Sequence, residues 1–288
     1  MTRRLSSALL VALSLSVGCL RAEDPAVVER PPGQLVTADI SPVGQKALAI
    51  RPAAWLNAET PHFILHYRRI TEARRVTVEI EFHLTYVAKV LGAGQERYAR
   101  KSHVFIFEDE KDWKGFLPDA GVPPWSSSFA YGDELFLNVR DGRTGMFDSQ
   151  TLAHETTHAI VARLYPGKHW PRWLGEGFAE HMSGQSTGAR MGQYNQRLLQ
   201  KFQVATLPLE RLIAAEDYPA EPQAVAQFYQ SSEKLVRFLM TKNPPDRFPK
   251  FVEGLLDGVP FPDAITKTYG DKYKDYPTFT KDYARLAQ

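Results

Sequence analysis

The sequence predicts an α+β fold, on two observations. Short strand-like runs crowd the first half, at 63–67, 103–107, 127–131 and 134–139, with one long helical repeat among them. From Phe147 onward the apolar spacing is that of helices cut by Pro and Gly. The expected layout is a small mixed-sheet lobe over 56–145, then a mostly helical lobe over 146–288, with one helix at their junction. At 288 residues and 43% hydrophobic composition, the chain can bury one large core.

Arg3 and Arg4 precede an apolar run from Leu5 to Leu20, followed by Arg21-Ala22-Glu23-Asp24. A basic start, a short apolar stretch and a small residue before a polar segment predict a secretory signal over 1–22. The run is short for a spanning helix, so no transmembrane span is expected in the mature chain. Gly18-Cys19 loosely resembles a bacterial lipoprotein signal, although Ser16 departs from the usual Leu; a lipid anchor at Cys19 is the lesser reading. The expected place is periplasmic or extracellular. Cys19 is the only cysteine, so the mature body has no disulfide. The net charge of +2, with acids and bases interspersed, offers no basic stripe for nucleic acid.

Residues 23–55 hold Pro25, Pro31, Pro32, Pro42 and Pro52 with little periodicity and read as a linker or loosely packed lead-in, able in principle to lie over a cleft. The run 63–67 alternates after Pro61, a strand pattern. Val76, Ile80, Leu84, Val87 and Val90 place a helix over 71–90, closed by Leu91-Gly92. His103 to Phe107 reads as a buried strand and 111–117 as a short helix. Gly132-Asp133 is a hairpin signal between 127–131 and 134–139. Alternation there separates Leu135, Leu137 and Val139 from Phe136, Asn138 and Arg140.

The helix 147–164 has Asp148 or Ser149 as N-cap and Pro166-Gly167 as stop. Pro171 suits the first turn of a second helix running to about Met182. Helical patterns follow at 192–203, 207–215, 222–241, 247–257 and 261–269.

The junction helix carries His154-Glu155-Thr156-Thr157-His158. Histidines four apart project from one helix face, where one zinc ion can take both imidazoles. Glu155, one step round, can hold a water and take its proton. A third ligand is needed, and 173–180 supplies it: Glu176, with Glu180 or His181 as rivals. Pro166-Gly167 and Pro171 let the chain reverse and bring the second helix alongside. Gly175 and Gly177 cost a helix up to about 1 kcal/mol each, which points to close backbone packing. Glu180, four residues beyond Glu176, is placed either to orient a ligand histidine or to sit at the surface as an ordinary carboxylate. His181 is expected to face solvent. His62, His66, His83, His103 and His169 have no ligand spacing and read as ordinary surface or core residues.

His154-Glu155-x-x-His158 with Trp173-Leu174-Gly175-Glu176-Gly177-Phe178-Ala179 resembles the gluzincin metallopeptidases, the thermolysin-like and aminopeptidase N-like group, and in particular bacterial peptidase MA-like domains. The likeness is strong over 147–182 and weaker through 56–270. It implies a zincin-like fold, one zinc ion per chain on His154, His158 and Glu176, and hydrolysis of a peptide or protein substrate with Glu155 as base. It also implies a role for Tyr229, which precedes a small-residue stretch as does the tyrosine that donates to the oxyanion in aminopeptidase N-like enzymes; the other reading is a core aromatic. The Gly-x-Met-Glu-Asn motif of the aminopeptidases is absent, so their specificity is not carried over. The hairpin 127–139 is a candidate edge for an extended peptide. A zinc-bearing envelope binding or assembly module with little or no turnover is the alternative to an enzyme.

Overall fold

The computed structural model describes residues 24–98, 100–139, 149–190 and 206–287. The signal pattern, Cys19, Asp148, Arg140 and the helical pattern at 192–203 lie outside them. The architecture is α+β: a six-stranded mixed sheet with ten α-helices among the described residues. No helix among those residues is long and apolar enough to cross a membrane.

The strands are β1 (Val28–Glu29), β2 (Leu56–Glu59), β3 (Phe63–Tyr67), β4 (Ser102–Phe107), β5 (Ser128–Tyr131) and β6 (Glu134–Asn138). Their order in the sheet is β1-β2-β3-β4-β6-β5. The central pairs β3–β4 and β4–β6 are parallel, with Leu65 opposite Val104 and Phe105 opposite Phe136. Parallel neighbours need a crossover, and helices α2 (Ile70–Val90) and α3 (Glu110–Ala120) supply it. β5 folds back antiparallel on β6 through a turn in which Gly132 takes φ 58°, and becomes one edge.

Alternation along the strands builds two different cores. Leu65, Val104, Ile106, Leu135 and Leu137 face α2 and the junction helix α4 (Ser149–Leu164). Phe105, Phe107, Phe129 and Phe136 face the other way, against Trp113, Phe116 and Leu117 of α3. Both faces of β6 are therefore buried over Glu134–Asn138, so neither Leu135 and Leu137 nor Phe136 and Asn138 line a cleft. Among the described residues no strand pairs with the outer edge of β5, where the Ala130 amide meets Glu155 instead.

Residues 24–55 correct the expectation of a loose lead-in. They contribute β1 and helix α1 (Pro42–Ala49), whose Val43 and Ala47 close the aromatic core. Ser41 caps α1 by accepting from the Gly44 amide at 3.0 Å. The same serine donates its amide and hydroxyl, each at 2.6 Å, to the buried Glu134 carboxylate on β6. The segment thus covers the sheet face opposite α2 and α4, away from the His-Glu cluster. β2 was also not expected, because Leu56-Asn57-Ala58-Glu59 is too short and polar to alternate clearly.

The C-terminal part is helical: α5 (Arg172–Arg190), α6 (Leu209–Ile213), α7 (Pro222–Thr241), α8 (Arg247–Leu256), α9 (Phe261–Tyr269) and α10 (Tyr276–Ala287). Gly167, at φ 73°, breaks the chain after α4, and Pro171 stands immediately before α5. The α10 segment has no expectation to compare with; its Phe279 and Tyr283 pack on Phe238 of α7.

Candidate metal centre

Helix α4 packs against α2, β5, β6 and α5. It is buried nearly all round, so its polar residues turn inward and must find partners. Thr156 and Thr157 donate to the carbonyls one turn back, of Leu152 and Ala153, at 2.7 and 2.8 Å. Since Thr157 has spent its proton, its oxygen accepts from Nε2 of His83 on α2, 2.7 Å away. His83 is therefore a brace between α2 and the junction helix.

His154 and His158 share one face of α4, with their Nε2 atoms 3.1 Å apart. α5 crosses that face and brings Oε2 of Glu176 to 3.4 Å from His154 Nε2 and 3.5 Å from His158 Nε2. On its other side α5 packs closely on α7, because Gly177 has no side chain: a Cβ there would lie 2.3 Å from the Ser232 carbonyl oxygen. Gly175 meets nothing nearer than Trp170 Cβ at 4.0 Å and has no such role.

The three atoms fit a divalent ion. Tetrahedral donors about 2.0–2.1 Å from zinc lie about 3.3 Å from one another, and the observed separations straddle that value. Glu176 Oε2 is buried without a good hydrogen bond. The electrostatics point the same way. Burial opposes a charge on His154, yet the carboxylates of Glu176 and Glu180 raise it to about 10. Burial likewise opposes a charged Glu176, and the two imidazoles overcome it, holding the carboxyl far below the usual range. The cluster is built to take up positive charge, and His154, His158 and Glu176 could hold a metal ion.

Glu180 lies 3.2 Å from His154 Nδ1, the nitrogen turned away from the cluster. A proton there leaves Nε2 free as a ligand atom. His181 does not face solvent as expected: it is 5% exposed, with Nδ1 3.1 Å from Glu233 on α7. The α5–α7 packing that Gly177 permits is what encloses it. Neither Glu180 nor His181 joins the two α4 histidines as a third donor in place of Glu176.

Glu155 sits beside the cluster and accepts from the Ala130 amide of β5 at 3.2 Å. Burial pushes its carboxyl up, against the pull of His154 and His158. Tyr229, two turns into α7, has its ring 6.1 Å from that of His154. Burial, with Glu176 and Tyr218 beside it, raises this phenol far above the ordinary tyrosine range. A cavity of about 320 Å³, lined by Gln150, Thr151, His154, Glu180, Ser183 and Tyr229, opens beside His154.

Two contacts were not foreseen. One is the β5 amide on Glu155, which depends on how the sheet edge meets α4. The other is Tyr218, whose hydroxyl donates to Glu176 Oε1 at 2.5 Å. It lies in an irregular loop between α6 and α7, where no spacing marks it. His62, His66 and His103 serve structural networks: His62 binds Glu81, and His66 stacks on His103 between β3 and β4.

No family model and no curated protein matches the chain.

Proposed function

We propose that the protein is a zinc-dependent metallopeptidase of gluzincin type, zincin-like in fold. The observation that carries the reading is the convergence of His154 Nε2, His158 Nε2 and Glu176 Oε2 beside a carboxylate, Glu155, that none of them uses. Zinc bound there would polarise a scissile carbonyl and acidify a water molecule.

The chain's own groups supply the rest. Glu155 takes a proton from the attacking water and returns it to the leaving amine, and its raised pKa suits a group that must do both. Tyr229 keeps its proton at any working pH and donates it as a hydrogen bond where charge develops on the carbonyl oxygen. Glu180 keeps His154 in the tautomer the site needs. An extended peptide is the favoured substrate class because the edge of β5, which pairs with no strand among the described residues, runs past Glu155, and backbone groups along such an edge recognise backbone. Export across a membrane, on the signal pattern at 1–22, belongs to the same proposal.

The test pairs metal analysis with hydrolysis of a peptide library. The purified chain should carry one zinc and cleave peptides. Glu155→Gln should keep the zinc and lose turnover by about 10²–10⁴-fold. Zinc without cleavage of any peptide would favour the envelope binding module instead, and undiminished turnover in Glu155→Gln would remove Glu155 from the mechanism.

A further inference from the structure

We propose that Tyr218 is a positioning residue of the metal centre, holding Glu176 so that it offers a single oxygen, Oε2, to the ion. This rests on the metal-centre reading above and goes beyond it, since neither motif includes residue 218.

The geometry is specific. A carboxylate can only accept, so the 2.5 Å contact is a bond donated by Tyr218 Oη to Glu176 Oε1. The other oxygen, Oε2, is the one facing both imidazoles. Glu176 is buried and carries no other side-chain partner on Oε1 among the described residues. Without the phenol, the carboxylate is free to turn about its last torsion and present both oxygens or neither.

Tyr218 is itself held on three sides. Its ring lies nearly parallel to Tyr229, 16° apart with centroids at 6.0 Å. Phe228 meets it edge-on at 6.3 Å. The Arg172 guanidinium lies 4.5 Å over it, and Arg172 Nε donates to the Glu216 carbonyl two residues upstream.

Tyr218→Phe removes the hydroxyl and keeps the ring, its stacking and its contact with Arg172. The experiment titrates the metal-free full chain with zinc against a competing chelator, alongside thermal melts of the metal-free proteins. The unaltered chain should bind one zinc. Tyr218→Phe should bind one zinc about 10- to 100-fold more weakly, with an unchanged metal-free melting temperature. Arg172→Met, which removes one of the three supports of the ring and leaves the hydroxyl, should weaken binding less than Tyr218→Phe does. An affinity in Tyr218→Phe within twofold of the parent would overturn the role of Tyr218 alone. Equal weakening in Arg172→Met would also overturn it, because loop packing would then set the affinity. A parent that takes up no zinc would overturn the metal reading, and the role of Tyr218 with it.

Discussion

Gly177 on α5 lies so close to Ser232 on α7 that an added Cβ would stand 2.3 Å from the Ser232 carbonyl oxygen. Backbone cannot yield there as a flexible side chain would. Gly177→Ala should force the two helices apart, at about 1–3 kcal/mol of stability, and move Tyr229 away from Glu176. Gly175→Ala, with open space around it, should be neutral or stabilising by up to about 1 kcal/mol. Urea denaturation of the two variants checks this; equal losses would contradict it.

Zinc should stabilise the fold by mass action. At a free concentration 100 times its dissociation constant, the gain is about 2.7 kcal/mol. A chelator should lower the melting temperature of the parent, and added zinc should restore it. His158→Ala should melt at the same temperature with or without the chelator. Zinc-dependent melting in that variant would show that the ion binds elsewhere.

Ser41 supplies both a helix cap and two hydrogen bonds to Glu134. Burial raises the pKa of that carboxyl, so the bonds to its charged form are holding an unfavourable group in place. Ser41→Ala removes the hydroxyl bond and the cap and should cost about 1–3 kcal/mol. Stability within about 0.3 kcal/mol of the parent would mean that α1 docks on its apolar face alone.

His66 and His103 stack inside the sheet layer with His66 Nε2 2.9 Å from His103 Nδ1. Burial lowers His66 to about 3, with His103 adding to the effect, and lowers His103 to about 4. An unfolded histidine titrates near 6.5, so below that pH the unfolded chain binds protons that the folded one refuses. Stability should be full above pH 6.5 and fall as the pH drops toward 4, by up to about 1.4 kcal/mol per pH unit for each histidine. Urea midpoints at pH 7, 6 and 5 measure the slope, and His66→Gln should reduce it, leaving the share of His103 and of His83, which burial also lowers to about 3. An unaltered slope in that variant would assign the effect to other groups.

Much of this was readable along the chain. The periods over 63–67, 71–90, 222–241 and 261–269 reproduce β3, α2, α7 and α9 to within a residue, because each buries one clear face. His154, His158 and Glu176 were legible because fixed helical spacing, plus a reversal marked by Pro166 and Gly167, leaves few places for a third donor. The failures are all long-range. His181 was turned outward on the logic of a single helix, but α7 covers that side of α5. α1 looked like linker because its few apolar residues pack on a sheet that follows it in sequence. Tyr218 could not be found at all: its partner is 42 residues away and its loop has no period.

The docking of α1 bears on where this protein can be cut. A fragment starting at Leu56 would keep every residue of the metal cluster. It would also strip Val43, Ala47 and Trp55 from the rings of Phe105, Phe107 and Phe136 and leave the Glu134 carboxylate unmatched. Such a fragment would expose a broad aromatic sheet face and a β2 edge shorn of β1, a combination that invites aggregation. The shortest soluble version of this protein therefore begins before Ser41.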